Sequence, residues 1–198
     1  MPYKWSIGVV AALFALISTA VAADALTEDE VRRYAGILPD LSALGEEMEK
    51  RDVKEFSEDF QLKEGESFTP YSTPLARLKK EHPAEYKKVN ALAKKHKFAD
   101  AADLASVADR TMLAYMALNM PPEAAAMSAA MTPDMLAMLP PETQAQYKTG
   151  LVMIKAAQNA PQADKDVVDP LRPLLEKAMI EAGEETDAFS SLGGPQRR

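Results

Sequence analysis

Thioether side chains recur at helical spacing in the middle of the chain. Met112, Met116 and Met120 lie four residues apart, so on an α-helix they form one slowly drifting stripe. Thioethers are soft ligands for Cu(I), and methionine is also an adaptable lining for an apolar ligand or a partner helix. A third interpretation, which these positions favour, is an ordinary hydrophobic core. The side chains predicted for a ligand or partner groove are Met112, Tyr115, Met116, Met120, Met127 and Met131.

Basic residues are concentrated in one stretch of an otherwise acidic chain. Residues 77–97 hold eight basic and two acidic residues, a net charge of +6, whereas the whole chain carries −7. This stretch can contact anionic lipid head groups, or it can form a solvated helix face that pairs with the acidic residues of 24–66. We favour the solvated face and keep the anionic membrane surface as an alternative. We expect no nucleic-acid binding, because arginine and aromatic residues are not interleaved here. The basic residues are Arg77, Lys79, Lys80, Lys87, Lys88, Lys94, Lys95 and Lys97.

Residues that serve in catalysis and in most metal sites are scarce. The chain has no cysteine, which excludes disulfides, thiolate zinc sites and iron–sulfur clusters. Glu85 follows His82 by three residues, but a metal ion would need a further ligand from elsewhere, and His96 lies among lysines. No nucleotide-binding glycine loop, zinc-protease motif or serine-hydrolase motif occurs. We therefore predict a non-enzymatic protein with no catalytic residues, no cofactor and no bound metal ion.

The first residues have the pattern of a secretory signal peptide. Lys4 and the terminal amine precede an apolar run from Ile7 to Ile17, and the small residues at 20–22 form a cleavage site before Ala23. The alternative is a retained membrane anchor, but the apolar run counted from Ile7 to Ala23 has only 17 residues, the lower limit of length for a bilayer span. We expect residues 1–22 to be removed, which places the protein in the bacterial periplasm or outside the cell.

Composition predicts an all-α fold. Alanine, the best helix former, occurs 34 times and glycine only eight times, and no run with strand periodicity is present. We expect residues 23–183 to form one domain, an irregular bundle of six to eight helices after a cleaved signal peptide. Residues 58–73 are predicted to be a long loop, and the polar residues 184–198 a disordered tail.

Capping residues and prolines set the expected boundaries of the first helices. A capping box at Thr27 and Glu30 begins a helix that should stop before Pro39. A second amphipathic stretch is expected over about 40–57. Two short helices or one kinked helix are expected over 74–97, because two prolines there suit the first turn of a helix.

Capping residues and prolines also mark the expected helix starts in the second half of the chain. Asp100 is predicted to cap a helix over about 101–119, which is so apolar that it should lie at the centre of the bundle. Residues 142–159 are expected to form a helix, and a final helix is expected to end near Gly183, so that the segment 142–182 packs beside the central helix. Further helices are expected to begin at Pro122, at Pro133 behind the cap Thr132, after Pro141, and behind the cap Asp169-Pro170.

These features predict a non-enzymatic exported helical protein that binds a partner protein or a hydrophobic ligand in the bacterial cell envelope. One alternative is a methionine-rich periplasmic protein that binds Cu(I) through its thioethers. The other alternative is a protein of anionic membrane surfaces that uses the basic residues of 77–97.

The signal-peptide pattern makes a direct prediction about the exported protein. Its N-terminus should be Ala23 or a residue next to it, because the small residues before Ala23 suit a signal peptidase. N-terminal sequencing of protein recovered from the periplasm measures this. Membrane-bound protein that retains Met1 would instead establish the anchor.

Overall fold

The computed structural model describes residues 25–51 and 68–183. Within these ranges every regular element is helical and none is a β-strand, which confirms the predicted all-α class. The predicted signal peptide, most of the predicted loop and the predicted tail lie outside the described residues. The elements are α1 (Glu28–Glu49), α2 (Ser72–Glu81), α3 (Pro83–Lys95), α4 (Ala101–Asn119), α5 (Pro122–Ala130), α6 (Pro133–Ala137), α7 (Pro141–Gln158), α8 (Gln162–Val168), a 3-10 turn (Asp169–Leu171) and α9 (Arg172–Glu181).

Helix α1 begins at the predicted capping box and continues through its proline. Thr27 Oγ1 accepts from the backbone N–H of Glu30 at 3.3 Å, and the backbone N–H of Thr27 donates to Glu30 Oε2 at 2.8 Å. These two bonds satisfy donors that the first turn of a helix otherwise leaves open. The prediction that this helix stops before Pro39 is wrong, because α1 runs on to Glu49.

Burial on both sides of Pro39 explains why α1 continues. A proline inside a helix costs about 3 kcal/mol, since it removes one hydrogen bond and crowds the preceding turn. Ile37 and Leu38 before it are buried, and Met48 after it is buried as well. Each such side chain contributes about 1.5–3 kcal/mol, so burial along the whole helix outweighs the loss. The stretch expected over 40–57 is the second half of α1, and its residues after 51 lie outside the described part.

Residues 74–97 belong to two helices rather than to one kinked helix. Pro83 occupies the first turn of α3, as predicted, and α2 ends just before it. Helix α2 begins at Ser72, two residues before the predicted start at Pro74, so the last two residues of the predicted loop are helical. Its early start depends on Asp109 of α4, whose carboxylate accepts from the backbone N–H groups of Tyr71 and Ser72.

Predicted caps also begin helices in the second half of the chain. Asp100 Oδ1 accepts from the backbone N–H groups of Ala102 at 2.8 Å and Asp103 at 2.9 Å, which confirms the cap of α4. Thr132 Oγ1 accepts from the backbone N–H of Met135 at 3.3 Å, which confirms the cap of α6. The helices α5, α6 and α7 each begin at a proline, where the missing N–H would have had no helical partner.

The prediction for the last helix is wrong in its starting point. Helix α8 precedes Asp169, and the 3-10 turn that contains Pro170 separates it from α9. The Asp169 side chain forms an ion pair with Arg172 at 2.9 Å and does not cap a helix. The short turn accommodates Pro170, which has no N–H for a continuous helix.

Helix α4 packs against five other helices, α1, α2, α3, α7 and α8. Helix α1 also packs against α3 and α9. The largest group of buried side chains joins α1, α4 and the C-terminal elements. Its larger members are Leu26, Val31, Tyr34, Ile37, Leu38, Phe98, Leu104, Val107, Val168, Leu171, Leu175 and Met179. None of the helices in the two described ranges is long and apolar enough to span a membrane.

A buried carboxylate joins three separate parts of this core. Asp164 of α8 is fully buried and accepts two hydrogen bonds from Arg110 of α4, Nε to Oδ2 at 2.9 Å and Nη2 to Oδ1 at 2.6 Å. Its Oδ1 also accepts from the backbone N–H of Leu26, just before α1, at 3.0 Å. A bidentate arginine and a third donor offset the cost of removing the carboxylate from water.

Replacing Asp164 should therefore destabilise the fold severely. We expect Asp164→Ala to lower the free energy of unfolding by about 3–5 kcal/mol, because Arg110 loses its buried counterion. Urea unfolding followed by circular dichroism measures the change. Asp169→Ala is the control: it breaks an exposed ion pair, so we expect a change below about 1 kcal/mol. Equal effects of the two replacements would contradict the proposed role of Asp164.

Candidate functional site

An apolar cleft lies among α1, α2, α3 and α4. Its volume is about 500 Å³, within the range of about 300–1,000 Å³ that is usual for small-molecule sites. Helix α1 supplies most of the wall, and the other three helices close it. The apolar lining consists of Leu38, Leu41, Leu44, Met48, Pro70, Leu75, Val89, Ala101, Leu104 and Ala105.

The polar side chains of the lining come mainly from α1. Ser42, Glu46 and Glu49 are four and three residues apart, so they follow one face of the helix. Ser42 Oγ already donates to the backbone carbonyl of Ala182 at 2.6 Å. The cleft therefore offers a ligand mostly apolar contact, with two carboxylates as its charged groups.

Gly45 keeps part of the cleft open. It lines the cleft from the interior of α1, and a Cβ at this position would meet no atom within 4 Å. Its backbone is helical, so no unusual dihedral angle requires glycine there. Glycine inside a helix costs about 1 kcal/mol relative to alanine. Gly45 therefore makes α1 less stable than alanine would, and it leaves free space in the wall of the cleft.

Tyr71 is held in the wall by contacts with two other helices. The Tyr34 hydroxyl donates to the Tyr71 hydroxyl at 2.6 Å, and the two rings meet edge to face with centroids 5.8 Å apart. Asp109 of α4 accepts from the backbone N–H groups of Tyr71 at 2.7 Å and Ser72 at 3.2 Å. Asp109 thus caps α2 from outside, where α2 has no side-chain cap of its own. Burial raises the pKa of Asp109, although its hydrogen bonds to Ser72 and Tyr71 oppose the rise.

A second, open groove of about 510 Å³ follows the contact between α1 and α3. Lys95 Nζ lies 2.8 Å from Asp40 Oδ2, and Lys88 Nζ lies 2.9 Å from Glu47 Oε1. His96 Nε2 is 2.9 Å from the same oxygen of Asp40. Hydrogen bonds from Lys95 and His96 lower the pKa of Asp40, and the hydrogen bond from Lys88 lowers the pKa of Glu47. These mutually paired charges occupy the groove, so it is a weaker ligand site than the cleft.

The predicted basic residues divide into two groups. Lys88 and Lys95 pair with acidic residues of α1, in the way expected of a solvated face. Lys97 follows α3 in a left-handed backbone conformation, with φ at 66°. The remaining members are exposed: Arg77, Lys79, Lys80, Lys87, Lys94 and Lys97.

The methionines of α4 lie between helices and away from the cleft. Met116 is buried, and Met112 and Met120 are half-buried beside it, in contact with a group from α7 that includes Met153. This is the position that the core interpretation expects. Tyr115 packs against the larger core instead, and burial with the nearby Glu176 raises its pKa. Met131 is half-buried, and the side chain of Met127 lies outside the described part.

Among the described residues, no three His, Asp or Glu side chains converge as a metal site would require. The cleft itself was not foreseen in the sequence, although Leu41, Leu44 and Met48 mark the apolar face of α1 that forms its wall. No protein-family model, curated protein or solved structure matches this chain. The geometry of the cleft and the charges around it are therefore the basis for any functional proposal.

The buried position of Asp109 predicts how α2 responds to substitution. Asp109→Ala should lower the free energy of unfolding by about 1–2 kcal/mol, because the first turn of α2 loses its cap. Asp109→Asn keeps one acceptor oxygen and removes a buried charge, so it should be tolerated better at about pH 7. Urea unfolding of the three proteins measures both effects.

The pH dependence tests the raised pKa of Asp109. A carboxyl group whose pKa is higher in the folded state favours folding at low pH, and this contribution is lost as the pH rises through that value. The wild type should therefore gain stability relative to Asp109→Asn between about pH 7 and about pH 4. A difference that stays constant over this range would contradict the burial of an ionisable Asp109.

Proposed function

We propose that this chain is a non-enzymatic exported protein that binds a small apolar molecule in the cleft among α1, α2, α3 and α4. The observation that carries the proposal is an apolar cavity of about 500 Å³ with a few polar groups in its wall. In this proposal the helices form an irregular bundle after residues 1–22 are removed, and the cleft acts in the bacterial cell envelope.

The lining favours one class of ligand. Leucine, valine and methionine side chains provide apolar contact, which drives binding through the area removed from water. Glu46 and Glu49 would repel an anionic group and attract a cationic one. The expected ligand is therefore a neutral or cationic molecule that is mostly hydrocarbon, rather than an anionic one.

The lining also supports binding rather than catalysis. Its described side chains include no histidine, and Ser42 already donates to a backbone carbonyl. A serine nucleophile needs an adjacent base that can accept its proton. Glu46 and Glu49 are exposed on the surface of α1, and neither is hydrogen-bonded to Ser42.

Gly45 allows the cleft to be filled without disturbing its neighbours. We expect Gly45→Leu to weaken binding of the neutral fluorescent probe N-phenyl-1-naphthylamine by about tenfold or more, because the new side chain enters the free space in the wall. Gly36→Leu is the matched control: it lies in the same helix, its Cβ also meets no atom within 4 Å, and it does not line the cleft. A fluorescence titration of the wild type and both variants measures the affinity.

Both replacements should also stabilise α1 by about 0.5–1 kcal/mol, because leucine is a much better helix former than glycine. Thermal unfolding therefore shows whether the Gly45 variant is folded when it loses the probe. Failure of the wild type to bind the probe saturably, or equal affinities for both variants, would overturn the cleft as a ligand site. Probe binding that is lost only in the Gly45 variant supports it.

A further inference from the structure

Two rows of lysines run along α3 in adjacent positions. Lys88 and Lys95 are seven residues apart and form one row, and Lys87 and Lys94 form the next row at the same spacing. Seven residues are close to two helical turns, so the members of each row share a face. The two rows differ by one position along the helix, which rotates them by about 100°.

Only the first row is neutralised by α1. Glu47 and Asp40 are also seven residues apart, and because α1 and α3 run in opposite directions, Glu47 meets Lys88 and Asp40 meets Lys95. The second row is exposed, and no carboxylate in residues 25–51 or 68–183 forms an ion pair with Lys87 or Lys94. Its charge is directed to solvent.

Helix α2 extends this exposed charge. Lys79 Nζ lies 5.4 Å from the centre of the Tyr86 ring, which brings the last turn of α2 beside the first turn of α3. Glu81 and Glu85 are the two acidic residues of 77–97, and they reduce the net charge of this segment to +6. We call three exposed residues the basic face: Lys87 and Lys94 of the second row, and Lys79, which reaches the Tyr86 ring beside them.

We propose that the basic face rests on the surface of an anionic lipid bilayer. Lysine is a compact point charge that attracts anionic head groups without a fixed geometry, whereas nucleic-acid sites combine arginine forks with aromatic residues. The basic face consists of lysines, without an arginine. A lysine near such a surface strengthens binding about fivefold, so several together give measurable binding.

The acidity of the rest of the chain sets the orientation and does not prevent binding. Residues 77–97 carry +6 and the remaining residues −13, which together give −7. Charges interact strongly only within a Debye length of about 8–10 Å at physiological salt. The residues nearest the bilayer therefore decide binding, and repulsion turns the acidic remainder away from the surface.

This inference does not depend on the proposed ligand. Helix α2 contributes Leu75 to the cleft and α3 contributes Val89, so the same two helices carry the basic face and part of the cleft wall. The basic face would nevertheless bind a bilayer whether or not the cleft is filled. Failure of the probe titration and failure of vesicle binding are thus separate results.

The two lysine rows provide a matched experiment. The exported form, which lacks residues 1–22, is mixed with vesicles of phosphatidylglycerol and phosphatidylcholine and sedimented, and vesicles of phosphatidylcholine alone measure binding that does not depend on charge. We expect Lys87→Gln with Lys94→Gln to weaken binding to the anionic vesicles about 25-fold. The control, Lys88→Gln with Lys95→Gln, removes the same charge from the paired row and should weaken binding far less. Raising the salt concentration should release the wild type.

Each other outcome would overturn the proposal. Equal losses in the two double variants would show that net charge alone matters, rather than the basic face. Wild-type binding that is the same for both vesicle types, or that resists salt, would indicate apolar contact. Release of the protein from vesicles by single-stranded DNA at equal phosphate concentration would indicate a general polyanion site instead of a bilayer surface. Circular dichroism of both variants verifies that they are folded.

Discussion

The ion pair between Arg110 and Asp164 determines much of how the helices meet. Asp164 is fully buried, and its three hydrogen bonds come from Arg110 of α4 and from Leu26, two residues before α1. A buried carboxylate that lost one of these donors would be costly, so the three segments are fixed together. Apolar contacts tolerate sliding, whereas a bidentate pair does not. The C-terminal helices, which pack on α1 and α4, depend on this fixed arrangement.

A second set of charges fixes the register of α1 and α3. Asp40 and Glu47 match Lys95 and Lys88 at equal spacing in opposite directions, so a shift of either helix by one turn would break both pairs. Each exposed pair contributes little energy by itself. The orientation of α3 follows from its buried residues Val89 and Ala93, and the two pairs leave the neighbouring lysine row without an ion pair to α1. The same register places the apolar face of α1 toward α4 and leaves the cleft between them.

Local features of this fold could be predicted from the sequence, and long-range ones could not. The caps Thr27, Asp100 and Thr132 act within three residues, so their side chains and spacing suffice to place a helix start. The helix end predicted before Pro39 is wrong, because packing with other helices overrides the local preference of proline. Nothing in the sequence distinguishes the buried Asp109 and Asp164 from the exposed acids around them. The cleft depends on four helices together, so no single segment could indicate it.

The cleft has a thermodynamic consequence for a protein without disulfides. Free apolar space removes packing contacts that would otherwise stabilise the core, and Gly45 in its wall weakens α1 as well. A ligand that binds only the folded state restores stability in proportion to the logarithm of its concentration above Kd, about 2.7 kcal/mol at a hundredfold excess. Occupation of the cleft would thus offset the stability lost to its presence, and this links ligand binding directly to the persistence of the folded chain.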